Sequence, residues 1–175
     1  MKMDQAQLLA NRIIADVKVR LMQESLPRIE KCLSVLPEAA IWQRPNTHSN
    51  SIGNLLLHLN GNVRQYILSG LGRQPDSRQR SVEFSTQYGA SAQELLTMLW
   101  KTMDEVHQVL DRLHVKDLLE VRPVQCYELD GVSILIHVTE HFSYHTGQIV
   151  FYTKALQDMD MGFYADVDLE QKGGK

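Results

Sequence analysis

The sequence predicts an all-α protein, a four-helix bundle with little or no strand, on three observations. Four segments repeat apolar residues at helical spacing. The connections between them carry almost no alternating pattern. At 175 residues the chain is long enough for one domain with a substantial core and too short for several. Together these argue for an antiparallel-type bundle, without giving the order of helices around it.

The first segment runs from about Asp4 to Leu36, with Leu9, Ile13, Val17, Leu21, Ile29, Leu33 and Leu36 on its apolar face. Pro27 predicts a kink or break near Ser25–Leu26, because proline lacks an N–H and its ring crowds the preceding turn. A linker with Pro45, Asn46 and Asn50 follows, and its apolar pair Ile41–Trp42 is expected to pack back on the bundle. The second helix starts near Ser51, carries Ile52, Leu56, Leu59, Val63 and Tyr66–Ile67, and ends at Gly70 or Gly72. After a polar loop through Pro75, Ser91-Ala-Gln-Glu94 reads as a capping box. It opens a third helix whose face is Leu95, Leu99, Met103, Val106, Leu110 and Leu113. Residues 121–129 have some β character and run into an Asp130-Gly131 turn. The fourth helix is expected from about Ser133 to Gln157, so that residues 1–157 form the domain and 158–175 a loosely held tail.

Composition removes several function classes. The net charge of −3 leaves no electrostatic footprint for nucleic acid. The short basic run Arg73, Arg78 and Arg80 reads as a solvated loop. Cys32 and Cys126 form no C-x-x-C pair, and two free thiols in a reducing compartment is the simplest reading. The N-terminal stretch is broken by Asp4, Asn11, Arg12 and Asp16, which predicts neither signal peptide nor membrane span. The expectation is a cytoplasmic protein with no nucleic-acid or membrane partner. Phosphate-binding loop, dinucleotide fingerprint and nucleophile elbow are all missing.

The informative feature is His137-Val-Thr-Glu140-His141-Phe-Ser-Tyr144-His145-Thr146-Gly147-Gln148. Histidines at i, i+4 and i+8 are offset by only ~40° each on a helix, so they share one face. Ile134, Val138, Ile149, Tyr152 and Leu156 fall on or beside that face; Thr139, Glu140, Ser143, Thr146 and Lys154 fall opposite. Inward-pointing imidazoles need partners, and several stacked together oppose one another's protonation. A divalent cation resolves both, taking neutral imidazole nitrogens as ligands. Two histidines at i, i+4 supply two ligands, and a third must come from elsewhere. His58 shares a stripe with Asn54, Asn62 and Gln65 that spacing alone could leave in water, so periodicity does not select it over His137. His48, His107 and His114 read as surface residues. His137-Val-Thr-Glu140-His141 also matches the inverted zinc-protease motif, with Glu140 as general base, but lacks that motif's downstream context.

The chain resembles the DinB-like (YfiT-like) superfamily of metal-dependent bacterial bundles. Three stretches carry the resemblance: Trp42-Gln-Arg-Pro45-Asn46 through Asn50-Ser51-Ile52-Gly53-Asn54 to His58; Gly61-Asn62-Val-Arg64-Gln65; and the histidine segment from His137 to Gln148. The resemblance implies a four-helix bundle with a long crossover connection, often a homodimer. It also implies a site in which His58 joins His141 and His145 around one divalent metal ion per chain, zinc or nickel, leaving His137 outside. Thr146 departs from the family pattern, which commonly has arginine there. Relatives include thiol-dependent transferases and isomerases, which points to hydrolysis or thiol transfer on a small molecule, with a low-molecular-weight thiol as partner. On this reading Asn62, Gln65 and Tyr144 are candidate pocket residues, and Glu140 or His137 would orient the ligands. The rival reading is a non-catalytic bundle that the metal stabilises.

Overall fold

The computed structural model of the chain describes residues 4–173. The first long helix comprises α1 (Gln5–Lys18) and α2 (Leu26–Val35), joined through wide π-type turns at Val19–Ser25. Pro27 does not break it, but the winding changes where the break was expected. The wide turns shift hydrogen bonding just ahead of the proline, with Leu26 N–H donating to Leu21 O, and Pro27 then falls in the first turn of α2, where its missing N–H costs nothing.

The second helix is α3 (Ile52–Val63), extended by further π-type turns over Arg64–Leu71 and stopped at Gly72. A short α4 (Arg80–Ser85) follows, which the sequence pattern did not announce. The third long helix is α5 (Ala92–Leu110), opened by Ser91 and Glu94 in a reciprocal capping box. A connection with α6 (Val115–Leu119) and a hairpin of β1 (Arg122–Val124) and β2 (Tyr127–Leu129) leads to α7 (Gly131–Gln157). The last helix begins two residues ahead of the expected Ser133, because Asp130 caps it by accepting the Ser133 N–H at 2.7 Å.

Helix α3 packs on α5 and α7, and α2 packs on α7 and α5. The first and second long helices therefore lie across a diagonal, as do the third and fourth. The connections over 36–51 and 111–130 both cross the bundle rather than joining neighbours. The core they enclose includes Leu21, Leu26, Ile29, Leu56, Leu59, Ile67, Leu99, Val106, Ile134 and Phe142, all fully buried. Ile41 is buried as expected, and Trp42 donates its Nε1–H to Ala90 O at 2.8 Å.

Gly53 makes that docking possible, since a Cβ there would stand 2.7 Å from the Trp42 ring. Gly53→Ala must push the indole off α3, and a loss of about 1–3 kcal/mol is expected in urea unfolding, the usual cost of overpacking. Beyond α7 the tail is anchored at its start. Met161 is buried, Arg28 donates to Tyr164 Oη at 2.9 Å, and Arg28 and Lys31 sit over the Phe163 ring. From Asp166 to Gly173 the side chains are exposed. No described helix is long and apolar enough to cross a membrane.

Candidate metal centre

Polar side chains on α3 form one edge of the site. Asn54, His58, Asn62 and Gln65 do not face water: all four are buried. The connection between α3 and α5 folds over them. Asn54 Nδ2 donates to the carbonyls of Glu83 (2.9 Å) and Thr86 (2.7 Å), and Arg44 donates to Phe84 O at 2.6 Å, which pins α4 across the stripe. Arg78 is no solvated loop residue either, for its side chain is 4% exposed. Its Nη1 donates to Gln65 Oε1 at 2.8 Å, and its Nε and Nη2 clasp the two oxygens of Glu83 at 2.7 and 2.9 Å. Arg73 and Arg80 remain exposed, as expected of that run.

The opposite edge is α7. Its inward stripe is Ile134, Leu135, Val138, Phe142, Thr146, Ile149 and Thr153. The histidines therefore flank the buried face rather than occupy its centre, and His137, His141 and His145 are each partly buried. Thr146, expected on the outer side, is buried because its hydroxyl donates to Phe142 O at 2.8 Å. Glu140 is exposed, on the outer surface, where it is poorly placed to orient a ligand.

Three imidazoles meet where these edges face each other. His58 Nε2 and His141 Nε2 are 3.0 Å apart, and potential ligand atoms of His58, His141 and His145 all lie within 4.8 Å of one another. Two of the rings are also hydrogen-bonded on their outer sides. His58 Nδ1 lies 2.8 Å from Glu83 Oε2, and a carboxylate only accepts, so Nδ1 is the donor of this bond. His145 Nδ1 lies 2.7 Å from Gln148 Oε1 and donates to it by the same logic. His141 Nδ1 is buried with no partner. This donor set fits a divalent ion. Imidazole nitrogens converge, two rings are bonded from behind, and the buried, unpaired nitrogen leaves the cluster incomplete as a purely protein hydrogen-bond network.

The same burial shows in the proton affinities. His141 is pushed down to about 3, first by desolvation and then by the charges that His145, His58 and His137 would carry. His137 and His145 are also lowered, burial being the main cause in each. Burial alone would raise the Glu83 carboxyl, but its bonds to Arg78 and His58 outweigh it and hold the carboxyl below the usual range.

His137 lies apart from the cluster. It stacks on Tyr66 with ring centroids 4.2 Å apart, and its Nε2 is 3.3 Å from Asn62 Nδ2. Tyr144 is exposed, edge-on to His145 at 5.0 Å. With His137, Glu140 and His141 it lines a depression of about 230 Å³ against the outer side of the cluster. His48 and His114 are exposed, and His107 pairs with Asp111 at the surface. Sequence reasoning did not name Glu83 or Arg78 as site residues. The available signal was Gly61, an isolated glycine inside a helix, which marks a close approach. A Cβ there would stand 2.0 Å from Glu83 Oε1.

Residues 9–165 match the family described as protein of unknown function, DUF1572. The chain belongs to that family. Its fold is DinB-like, as two solved structures show. A DinB-like protein from Bacillus cereus ATCC 10987 superposes with a TM-score of 0.62 at 17% identity, over 82% of this chain and 93% of that one. A conserved protein from Enterococcus faecalis superposes with a TM-score of 0.65 at 16% identity, over 90% of this chain and 100% of that one. No curated protein matches the chain. The chain thus combines a DinB-like helical fold with a group of three histidines, His58, His141 and His145, that could hold a metal ion.

Proposed function

We propose that the protein binds one divalent metal ion, zinc or nickel, through His58, His141 and His145. On this reading it is a metal-dependent enzyme of hydrolase or thiol (S-)transferase type acting on a small molecule, with a low-molecular-weight thiol as the favoured co-substrate class. The observation that carries it is the convergence of three imidazoles, two of them held from behind, at the edge of the bundle rather than in its centre. An all-imidazole set leaves the full charge of the ion uncompensated and at least one coordination position open, the arrangement of catalytic rather than structural sites.

Bound there, such an ion supplies the charge that makes a water or a thiol acidic near neutral pH. The protein residues do the rest: Glu83 and Gln148 bond the outer nitrogens of His58 and His145, Phe84 packs against the His58 ring with centroids 4.7 Å apart, and the depression lined by His137 and Tyr144 gives solvent and substrate a route to the cluster. The working form is taken to be a cytoplasmic homodimer, which sedimentation of the purified chain would test. Exposed Ile136 and Phe151 on α7 agree with a covered face.

Elemental analysis after reloading with zinc or nickel should give close to one ion per chain. Less than roughly a tenth of an equivalent would overturn the reading. A second reading, a non-catalytic bundle stapled by the ion, draws on the ligands coming from two different helices, α3 and α7. Thermal unfolding with and without chelator separates the two. A large fall in Tm with no exchangeable position on the ion favours the staple, and a small fall with an open position favours catalysis.

A further inference from the structure

We propose that Glu83, locked by Arg78, is a positioning residue that fixes His58 in its Nδ1–H form and so aims the Nε2 lone pair at the metal position. The inference rests on the metal-site reading above but concerns residues outside the ligand set. Both Arg78 Nη2 and His58 Nδ1 approach Glu83 Oε2, at 2.9 and 2.8 Å, and they lie 3.1 Å from each other. Arginine cannot accept a hydrogen bond, so the arrangement that satisfies all three groups has both nitrogens donating to one carboxylate oxygen. The other His58 tautomer would set a lone pair against that oxygen in a buried site.

Arg78 allows the carboxylate little freedom, because it grips both oxygens and is itself held by Gln65, which in turn donates to Asp76 at 2.7 Å. Gly61 leaves the space that the carboxylate occupies. The result is a chain of fixed bonds from the α3–α5 connection to the far nitrogen of one ligand. A carboxylate behind a ligating histidine sets ring orientation and raises ligand basicity, and removing such a partner commonly weakens metal binding by ~10–100-fold. A merely structural ion pair would hold the connection in place without governing the tautomer.

The full chain, stripped of metal, provides the test. In ¹⁵N NMR, His58 of the parent is expected in a single Nδ1–H form, and in Glu83→Gln in a mixture of forms, because an amide both donates and accepts. Cobalt(II) titration, followed by its visible absorption bands, is expected to show ~10–100-fold weaker binding in Glu83→Gln. Gly61→Ala, which displaces the carboxylate while keeping both charges, should weaken binding in the same direction and covers the case in which Glu83→Gln does not fold. Variants that bind cobalt within about threefold of the parent, with His58 unchanged in tautomer, overturn the proposal. So does a parent His58 in the Nε2–H form. A parent that takes up no cobalt overturns the metal reading instead, and the NMR arm then decides the orientation of His58 by itself.

Discussion

A His141→Ala chain is expected to retain less than roughly a tenth of an equivalent of zinc or nickel after reloading and desalting, where the parent retains close to one. His141 is one corner of a close triangle of rings, with its Nε2 3.0 Å from His58 Nε2 and its ring 4.5 Å from that of His145. Without it, only two imidazoles remain, one from each helix, which is too few to hold the ion through desalting. The same substitution should make the metal-free protein less sensitive to acid. Folded His141 is pushed down to about 3 by burial and by its neighbouring imidazoles, whereas an unfolded histidine titrates near 6.5.

Between those two values the unfolded chain holds the extra proton, so stability falls as pH drops through the window and is flat above it. His137 and His145, lowered in the same direction, add slopes of the same sign. Urea unfolding at about pH 7 and about pH 4.5 should therefore show a smaller acid loss for His141→Ala than for the metal-free parent. Equal losses in the two chains would refute the assignment of that slope.

Arg78→Met carries the largest expected cost in stability, about 3–5 kcal/mol, since it leaves a buried carboxylate without its cation. The Glu83 side chain is only 9% exposed, and water cannot replace what Arg78 supplies. In the parent, Glu83 is held below the usual range, so its contribution is present above the ordinary carboxylate pKa and disappears as pH falls through the folded value. In the variant burial governs, the carboxyl rises, and protonation relieves rather than costs. The gap between the two chains should therefore narrow in acid. Replacing both partners, Arg78→Met with Glu83→Leu, is expected to recover most of the loss, because a buried pair and an apolar pair of similar volume are often close in energy. Urea unfolding of parent, single and double variants decides this. A single variant within about 1 kcal/mol of the parent would show that Glu83 finds another partner.

The histidine ladder was legible because its spacing is a property of one helix. Nothing beyond α7 is needed to see that His137, His141 and His145 fall together. Their exact placement was less so: Thr146, read as outward, and Phe142, assigned to neither side, occupy the inward face, and the histidines ride its margin. Thr146 misled because a threonine hydroxyl can satisfy itself on the preceding turn and be buried at little cost.

On α3 the polar stripe could not be placed at all from periodicity. Whether Asn54, His58, Asn62 and Gln65 meet water or protein depends on a connection that arrives from 72–91, and its α4 has no apolar repeat long enough to read. Arg78 and Glu83 went unnamed for the same reason, with only Gly61 to hint at a close approach. In sequence they belong to a charged loop, and only the folded connection turns them into a buried pair.

The wide turns over Arg64–Leu71 have an evolutionary consequence. A π-type turn closes one residue later than an α-turn, so it behaves as a helix that has accepted an inserted residue without changing its connecting loops. Everything beyond the insertion is rotated by ~100° about the axis relative to a regular helix. Gln65, at the start of that stretch, meets Arg78 in this phase. Deleting one residue between Arg64 and Leu71 would restore regular winding but turn the downstream face, with Tyr66 and Ile67, out of register with the core. In comparisons among descendants of this chain, length changes confined to this helix should therefore accompany changes in the α3–α5 connection rather than occur alone.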